Sequence, residues 1–225
     1  MESAHQQLTP DQLEEQLQAA LREQERLRRD MHHRIRNNLQ VIASLLDLQA
    51  DIAQHPQVDA VFANTQQRLQ ALARIHDSLV QADEGGQVNA AVYLEELCKR
   101  LCEPYGPDEA GIAVRLHADP IRLSVRRAIT YGLLLQELLS NCCKHAFPTG
   151  ATGEIVITLR AQPGNVAALT VRDTGVGLPA HFDSQRTESV GSQLICTLID
   201  ELEGTLTFAC EAGTTMTVIF PVPTS

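Results

Sequence analysis

"LSVRRAITYGLLLQELLSNCCKHAF", residues 123–147, reads as a helix with two unlike faces. Ile129, Leu134, Leu135, Leu138 and Leu139 gather on one side at helical spacing. Glu137, Asn141, Lys144 and His145, at i, i+4, i+7 and i+8, line the other. An apolar helix face needs a second layer, and the neighbouring segments supply one. "GIAVRLHAD" (111–119), "GEIVITLRA" (153–161) and "NVAALTVRD" (165–173) read as strands, the first two with half-buried alternation. "TLTFAC" (205–210) and "TTMTVIFP" (214–221) predict a hairpin around "EAG". "NAAVYLEELCKRLCEPYG" (89–106) and "SVGSQLICTLIDELEG" (189–204) predict two further helices, stopped by Pro104 with Gly106 and by Gly204. Helices on one side of a mixed sheet make a two-layer α/β sandwich.

Upstream the rhythm is helical only, and "ADEGGQ" (82–87) breaks it. "LTPDQLEEQLQ" (8–18) carries a helix start, with Thr9 as cap, Pro10 in the first turn and Gln12 placed as in a capping box. Leu13, Leu17, Ala20, Gln24, Leu27, Met31 and Ile35 then recur at spacings of four and three, a heptad-like seam that predicts one long helix with a partner helix along it. A second helix is expected over 58–82, with Val61, Leu69, Leu72, Ile75 and Leu79 as its apolar set and "NTQQR" (64–68) as a polar flank. Joined by "DIAQHPQ" (51–57), the two form an antiparallel hairpin that dimerising would close into four helices. The fold class is therefore α+β: an extension over 1–29, a dimerisation hairpin over 30–84 and a sandwich domain over 85–225.

The chain has 225 residues and a formal charge of −10, with 44% hydrophobic and 20% charged residues, which suits a globular protein and argues against a nucleic-acid surface. The basic cluster at Arg26 to Arg36 is local. No apolar run approaches the ~20 residues of a membrane span, and the first ten residues lack a secretory layout, so a cytoplasmic protein is expected. Cys98, Cys102, Cys142, Cys143, Cys196 and Cys210 match neither a zinc pattern nor a disulfide framework and read as buried thiols.

Chemistry concentrates in four places. On the first helix, "RRDMHHRIRNNLQVIASLLDLQ" (28–49) has an apolar seam of Met31, Ile35, Leu39, Ile42 and Leu46. At ~100° per residue His33 departs from that seam by about 160° and His32 by about 60°. His33 is thus expected to face water, with Asn37 one turn on over the same face. The stripe of Glu137, Asn141, Lys144 and His145 offers a carboxylate, an amide and a cation, which suit a metal and phosphates, although a solvated face would look similar. In "VRDTGVGLP" (171–179), Asp173 at a strand end can accept a hydrogen bond from an exocyclic amine, while Gly175 and Gly177 let the backbone pass close to a flat base. Gly191 introduces a helix whose free N–H groups suit phosphate, and Gly213, Thr214 and Thr215 turn the last hairpin toward the same place.

The ordered set "HRIRNN", "ELLSNCCKHAF", "DTGVGLP", "SVGSQLICTLIDELEGTL" and "EAGTTMTVIFP" resembles the transmitter core of two-component sensor histidine kinases, in the subfamily whose phosphoacceptor helix carries His-Arg-x-x-Asn. The resemblance covers roughly residues 25–222. It implies a gyrase/Hsp90/MutL-like ATP-binding domain, with ATP and Mg²⁺ as cofactors and Asn141 as the Mg²⁺ ligand. It further implies Glu137 as the polar neighbour of Asn141, Lys144 and His145 near the phosphates, and Asp173 on the adenine amine. Gly175 and Gly177 would shape the base pocket, Gly191 and Gly213 with Thr214 would border the triphosphate, and His33 would be the phosphoacceptor. The implied activity is autophosphorylation of His33 followed by transfer to an aspartate of a response regulator receiver domain, by a homodimer.

The sequence departs from the family in that Arg34 follows His33 where other histidine kinases place an acidic residue, leaving Asp30 as a candidate base. Ser192 and Gln193 follow Gly191, and the segment between Pro179 and Val190 predicts a small lid. About 30 residues precede the acceptor helix, so the chain is expected to be a fragment or to take its input from a separate sensor. A gyrase-type ATPase, in which Glu137 activates water, and a phosphotransfer scaffold with a degenerate ATP domain are the rival readings.

Overall fold

The computed structural model describes residues 9–53, 56–79, 86–102, 111–148, 151–178 and 189–222. Helix α1 runs from Pro10 to Ala53 and α2 from Pro56 to Ser78. The capping box forms as expected: Gln12 N donates to Thr9 Oγ1 at 3.4 Å and Thr9 N to Gln12 Oε1 at 3.0 Å. The expected connection over 51–57 is shorter in the structure, because α1 continues through Ala53 and Pro56, well suited to a first helical position, already opens α2. Residues 80–82, the expected end of the second helix, lie outside the described residues.

Strand β1 (Gln87–Asn89), helix α3 (Ala90–Cys102), strands β2 (Ile112–Ala118) and β3 (Arg122–Ser124) and helix α4 (Val125–Asn141) follow. After α4 come β4 (Gly153–Gln162), β5 (Val166–Asp173), α5 (Val190–Glu201), β6 (Thr205–Ala209) and β7 (Thr215–Pro221). Five strands form one sheet in the order β2-β4-β5-β7-β6, with β2 parallel to β4 and the other pairs antiparallel. A two-stranded sheet, β1 with β3, was not legible in the sequence, since each strand has three residues.

Register puts one face of the sheet under the helices. Ala167 pairs with Phe220, Leu169 with Val218 and Val171 with Met216, and all six are buried. The alternate residues Thr170 and Thr217 pair their hydroxyls at 3.2 Å on the less buried face. Two layers, helices over a mixed sheet, are the result.

The hairpin enters this core. Ile75 of α2 and Leu79 just beyond its end are fully buried in the same cluster as Tyr93 of α3 and Tyr131 of α4. Arg74 Nη1 donates to the Arg100 carbonyl at 3.0 Å, a polar link between α2 and α3. Gly132 of α4 is where these helices meet: an added Cβ would stand 2.3 Å from Tyr93 Oη and 2.9 Å from Ile75 Cγ1. Tyr93 cannot yield easily, because its hydroxyl donates to the Ala128 carbonyl at 2.8 Å inside the core. Gly132→Ala is therefore expected to lose about 1–3 kcal/mol from overpacking, more than the ~1 kcal/mol that alanine gains in helix propensity. Urea unfolding would show a lower midpoint; an unchanged or higher one would contradict the packing of α2 on α4.

Along α1 the seam residues Leu13, Leu17, Leu27 and Met31 are between 54% and 61% exposed, so the described residues leave this seam largely uncovered. Among the described residues no helix is long and apolar enough to cross a membrane.

Candidate active site

Asp173 ends β5 only 2% exposed, and the chain around it is built to hold its carboxylate. Oδ1 accepts from Gly175 N at 2.9 Å and from Thr214 N at 3.1 Å. Oδ2 accepts the Cys142 thiol at 3.7 Å. Burial first, and then the neighbouring Asp173 charge, push the Cys142 thiol well above its ordinary pKa, so it stays protonated and serves as a donor. The approach is close enough to demand glycine: a Cβ on Gly213, whose φ is +114°, would fall 2.0 Å from the Asp173 carbonyl oxygen. One on Gly175 would fall 2.1 Å from the Ala146 carbonyl oxygen.

Above Asp173 opens a cavity of about 520 Å³. Its apolar wall includes Leu138, Ile195, Leu206, Phe208 and Met216, and its polar residues are Asn141, His145, Asp173, Ser189, Ser192 and Thr214. Such a volume with a few convergent polar groups suits a small organic ligand. Ser189, unnoticed in the sequence reading, caps α5 by accepting from Ser192 N at 3.1 Å, so the first turn of that helix flanks the cavity. Gly177 also lines it, whereas Glu137, Lys144, Gly175, Gly191 and Gly213 do not.

The polar stripe of α4 does not continue as one α-helical face. Cys142 to Ala146 form a π turn, which shifts Lys144 and His145 out of the α-helical register, and the two neighbours take different partners. His145 lines the cavity, while Lys144 Nζ reaches Asn64 Oδ1 at 2.9 Å and Gln67 Oε1 at 3.0 Å on α2. Glu137, 6% exposed, is held by α2 as well: Arg68 Nε donates to Oε1 at 2.7 Å and Nη2 to Oε2 at 3.0 Å. Asn64, Gln67 and Arg68 all belong to "NTQQR", which reads in the sequence as a polar flank; nothing in a single segment shows which domain it faces.

On α1, Asn37 is exposed as expected, but the side chains of His32 and His33 lie outside the described residues. Ile35 and Leu39 are half-buried, and Val41, Ile42 and Leu45 are 59%, 45% and 55% exposed. Among the described residues no group of three or more His, Cys, Asp or Glu could hold a metal ion by itself. The donor set is instead one carboxamide, Asn141, with serine hydroxyls in the same cavity. That fits Mg²⁺, which keeps several waters and is bound largely through substrate phosphates.

Comparison with known proteins agrees with this geometry. A family described as "Histidine kinase" matches residues 30–105, and one described as "Histidine kinase-, DNA gyrase B-, and HSP90-like ATPase" matches residues 127–224. The chain is 32% identical to the sensor histidine kinase PdtaS of Mycobacterium tuberculosis over 203 residues, covering 86% of this chain and 39% of that protein. It is 26% identical to the blue-light-activated histidine kinase 2 of Erythrobacter litoralis, covering 87% of this chain and 56% of that one. The chain thus spans about two fifths to just over half the length of these relatives. The solved histidine kinase domain of an Erythrobacter litoralis blue-light activated histidine kinase has the same fold, with a TM-score of 0.63 at 24% identity over 89% of this chain and 93% of that one. With a histidine kinase match on the hairpin and a second on the sandwich, the chain belongs to the two-component histidine kinases, of which it carries the transmitter core.

Proposed function

We propose that this chain is an ATP-dependent autokinase that phosphorylates its own His33 and passes the phosphoryl group to an aspartate of a response regulator receiver domain. The observation that carries the reading is Asp173: a buried carboxylate with one oxygen saturated by two backbone donors and the other beneath a mostly apolar cavity. That arrangement suits the amine edge of adenine, with the ring against Ile195 and Met216. Asn141 would hold Mg²⁺, which when bound neutralises triphosphate charge and orients it. His145 and the α5 start at Ser189, Gly191 and Ser192 would take phosphate oxygens, with Gly213 and Thr214 at the border, and Gly175 and Gly177 would shape the base pocket. Lys144 would join them on exchanging Asn64 and Gln67 for phosphate.

In the transfer itself, the neutral imidazole of His33 attacks the γ-phosphorus in line as the bond to the β,γ-bridging oxygen breaks. Asn37, one turn along the same exposed face, positions the phosphoryl group. Calorimetric titration of the full chain with ATP is expected to show Mg²⁺-dependent binding that loses its Mg²⁺ dependence in Asn141→Ala. Binding equally tight without Mg²⁺ would contradict the assignment of Asn141.

The exposed seam of α1 and the apolar residues Val41, Ile42, Leu45 and Val61 favour a homodimer through the hairpin, with the lower hairpin face left for the receiver domain. Light scattering at micromolar concentration should give twice the chain mass of 24.7 kDa, and one chain's mass would refute the dimer. A cytoplasmic site of action, with the input signal delivered from another domain or protein, completes the reading. The rival in which Glu137 activates water meets a specific obstacle here, because both its oxygens are bound to Arg68.

A further inference from the structure

We propose that Arg68 determines which acceptor takes the γ-phosphoryl group, by holding Glu137 so that it does not serve water. The inference rests on the nucleotide reading given above. Glu137 lies one helical turn before Asn141, so it flanks the proposed triphosphate site with a proton acceptor of the type hydrolysis needs. In hydrolysis a water oxygen bonds to the γ-phosphorus, the bond to the β,γ-bridging oxygen breaks, ADP departs and the water proton passes to a base. A free carboxylate at Glu137 would be suited to take that proton.

It is not free. Arg68 grips it side-on, one nitrogen to each oxygen, from a residue 69 positions earlier on another helix. The side chains are 22% and 8% exposed, so the pair is shielded, and turning Glu137 toward a water means breaking two charge-assisted bonds and leaving a partly buried guanidinium without its partner. The pair also stands where it matters: a methyl on Gly191 would touch Arg68 Nη2 and Glu137 Oε2, each at 3.4 Å, so the pair abuts the first turn of α5. One helical turn of α2 supplies the whole contact, because Asn64, Gln67 and Arg68, at i, i+3 and i+4, present one face to Lys144 and Glu137.

Position along the hairpin gives the pairing its purpose. The groove between the helices is lined by Leu39, Gln40, Ala43 and Ser44 of α1 and by Gln66, Leu69, Gln70, Ala73, Arg74 and Asp77 of α2. Antiparallel packing in that groove sets Arg68 level with a point roughly ten residues beyond His33, or ~15 Å along the axis. While α2 holds the sandwich domain there, the histidine is out of reach and water is the competing acceptor. Arg68 is thus a positioning residue that spares bound ATP until the domain moves.

The test measures phosphate release from ATP by the full chain carrying His33→Ala, which closes the histidine route. Arg68→Gln on that background should raise release at least ~10-fold, a part of the ~10²–10⁴-fold that general-base catalysis typically contributes, with ATP affinity retained in titration. Arg68→Lys, which keeps the charge but cannot span both oxygens, should give a smaller rise and serves alone if the glutamine variant does not fold. Adding Glu137→Gln should return release to the starting level. Unchanged release in folded, ATP-binding Arg68 variants overturns the proposal, as does a rise that persists with Glu137→Gln. ATP failing to bind the unsubstituted chain is a separate outcome that removes the nucleotide reading itself, and this proposal with it.

Discussion

Replacing His33 with alanine is expected to abolish incorporation of the γ-phosphoryl group while ATP binding stays at its original affinity. The two proposed functions lie on different units: the cavity assigned to the nucleotide is lined by residues from 138 onward, and His33, the proposed acceptor, belongs to α1. Loss of an acceptor atom removes the reaction rather than slowing it, so the expected effect exceeds the ~10²–10⁴-fold that a lost general base would produce. His32→Ala should only reduce the label, since the helical wheel turns His32 toward the seam and His33 away from it. Labelling followed by gel separation under alkaline conditions reads both variants, and the reverse pattern would contradict the assignment of the acceptor.

Asp173→Asn should weaken ATP binding by about 10- to 100-fold, the 1.5–3 kcal/mol of a hydrogen bond to a charged group. The side-chain oxygen of asparagine can still accept from Gly175 N and Thr214 N, so the turn around it should hold. What changes is the second position, where an amide N–H₂ would meet the adenine amine donor against donor. Thermal unfolding should therefore move little while titration affinity falls; undiminished affinity would mean that adenine does not bind at Asp173.

How much of this was legible beforehand depends on whether the signal was local. Alternation in 153–161 and the glycine-flanked Asp173 are local patterns, and β4, β5 and the carboxylate grip follow from them. Thr9 and Gln12 announced the start of α1 because a capping box involves residues three apart. The π turn at Cys142 to Ala146 was not legible: an α-helical wheel carries the stripe on through Lys144 and His145, whereas the π turn leaves that register, Lys144 reaches α2 and His145 lines the cavity. Arg68 was hidden for a different reason. A charged residue on an amphipathic helix looks solvated until the partner carboxylate, far away in sequence, is known. Ile75 and Leu79 read correctly as apolar, but as part of the hairpin's own seam rather than of the core shared with Tyr93 and Tyr131.

The most direct test of the central claim is incubation of the unsubstituted chain with γ-labelled ATP and Mg²⁺, followed by a comparison of label stability in acid and in alkali. The account predicts a protein-bound label that is lost in acid and kept in alkali, because protonation of a phosphoramidate nitrogen makes it a good leaving group, and that maps to the peptide carrying His33. An acid-stable label, as from a serine or threonine ester, or no label on a chain that binds Mg²⁺ and ATP, would contradict it.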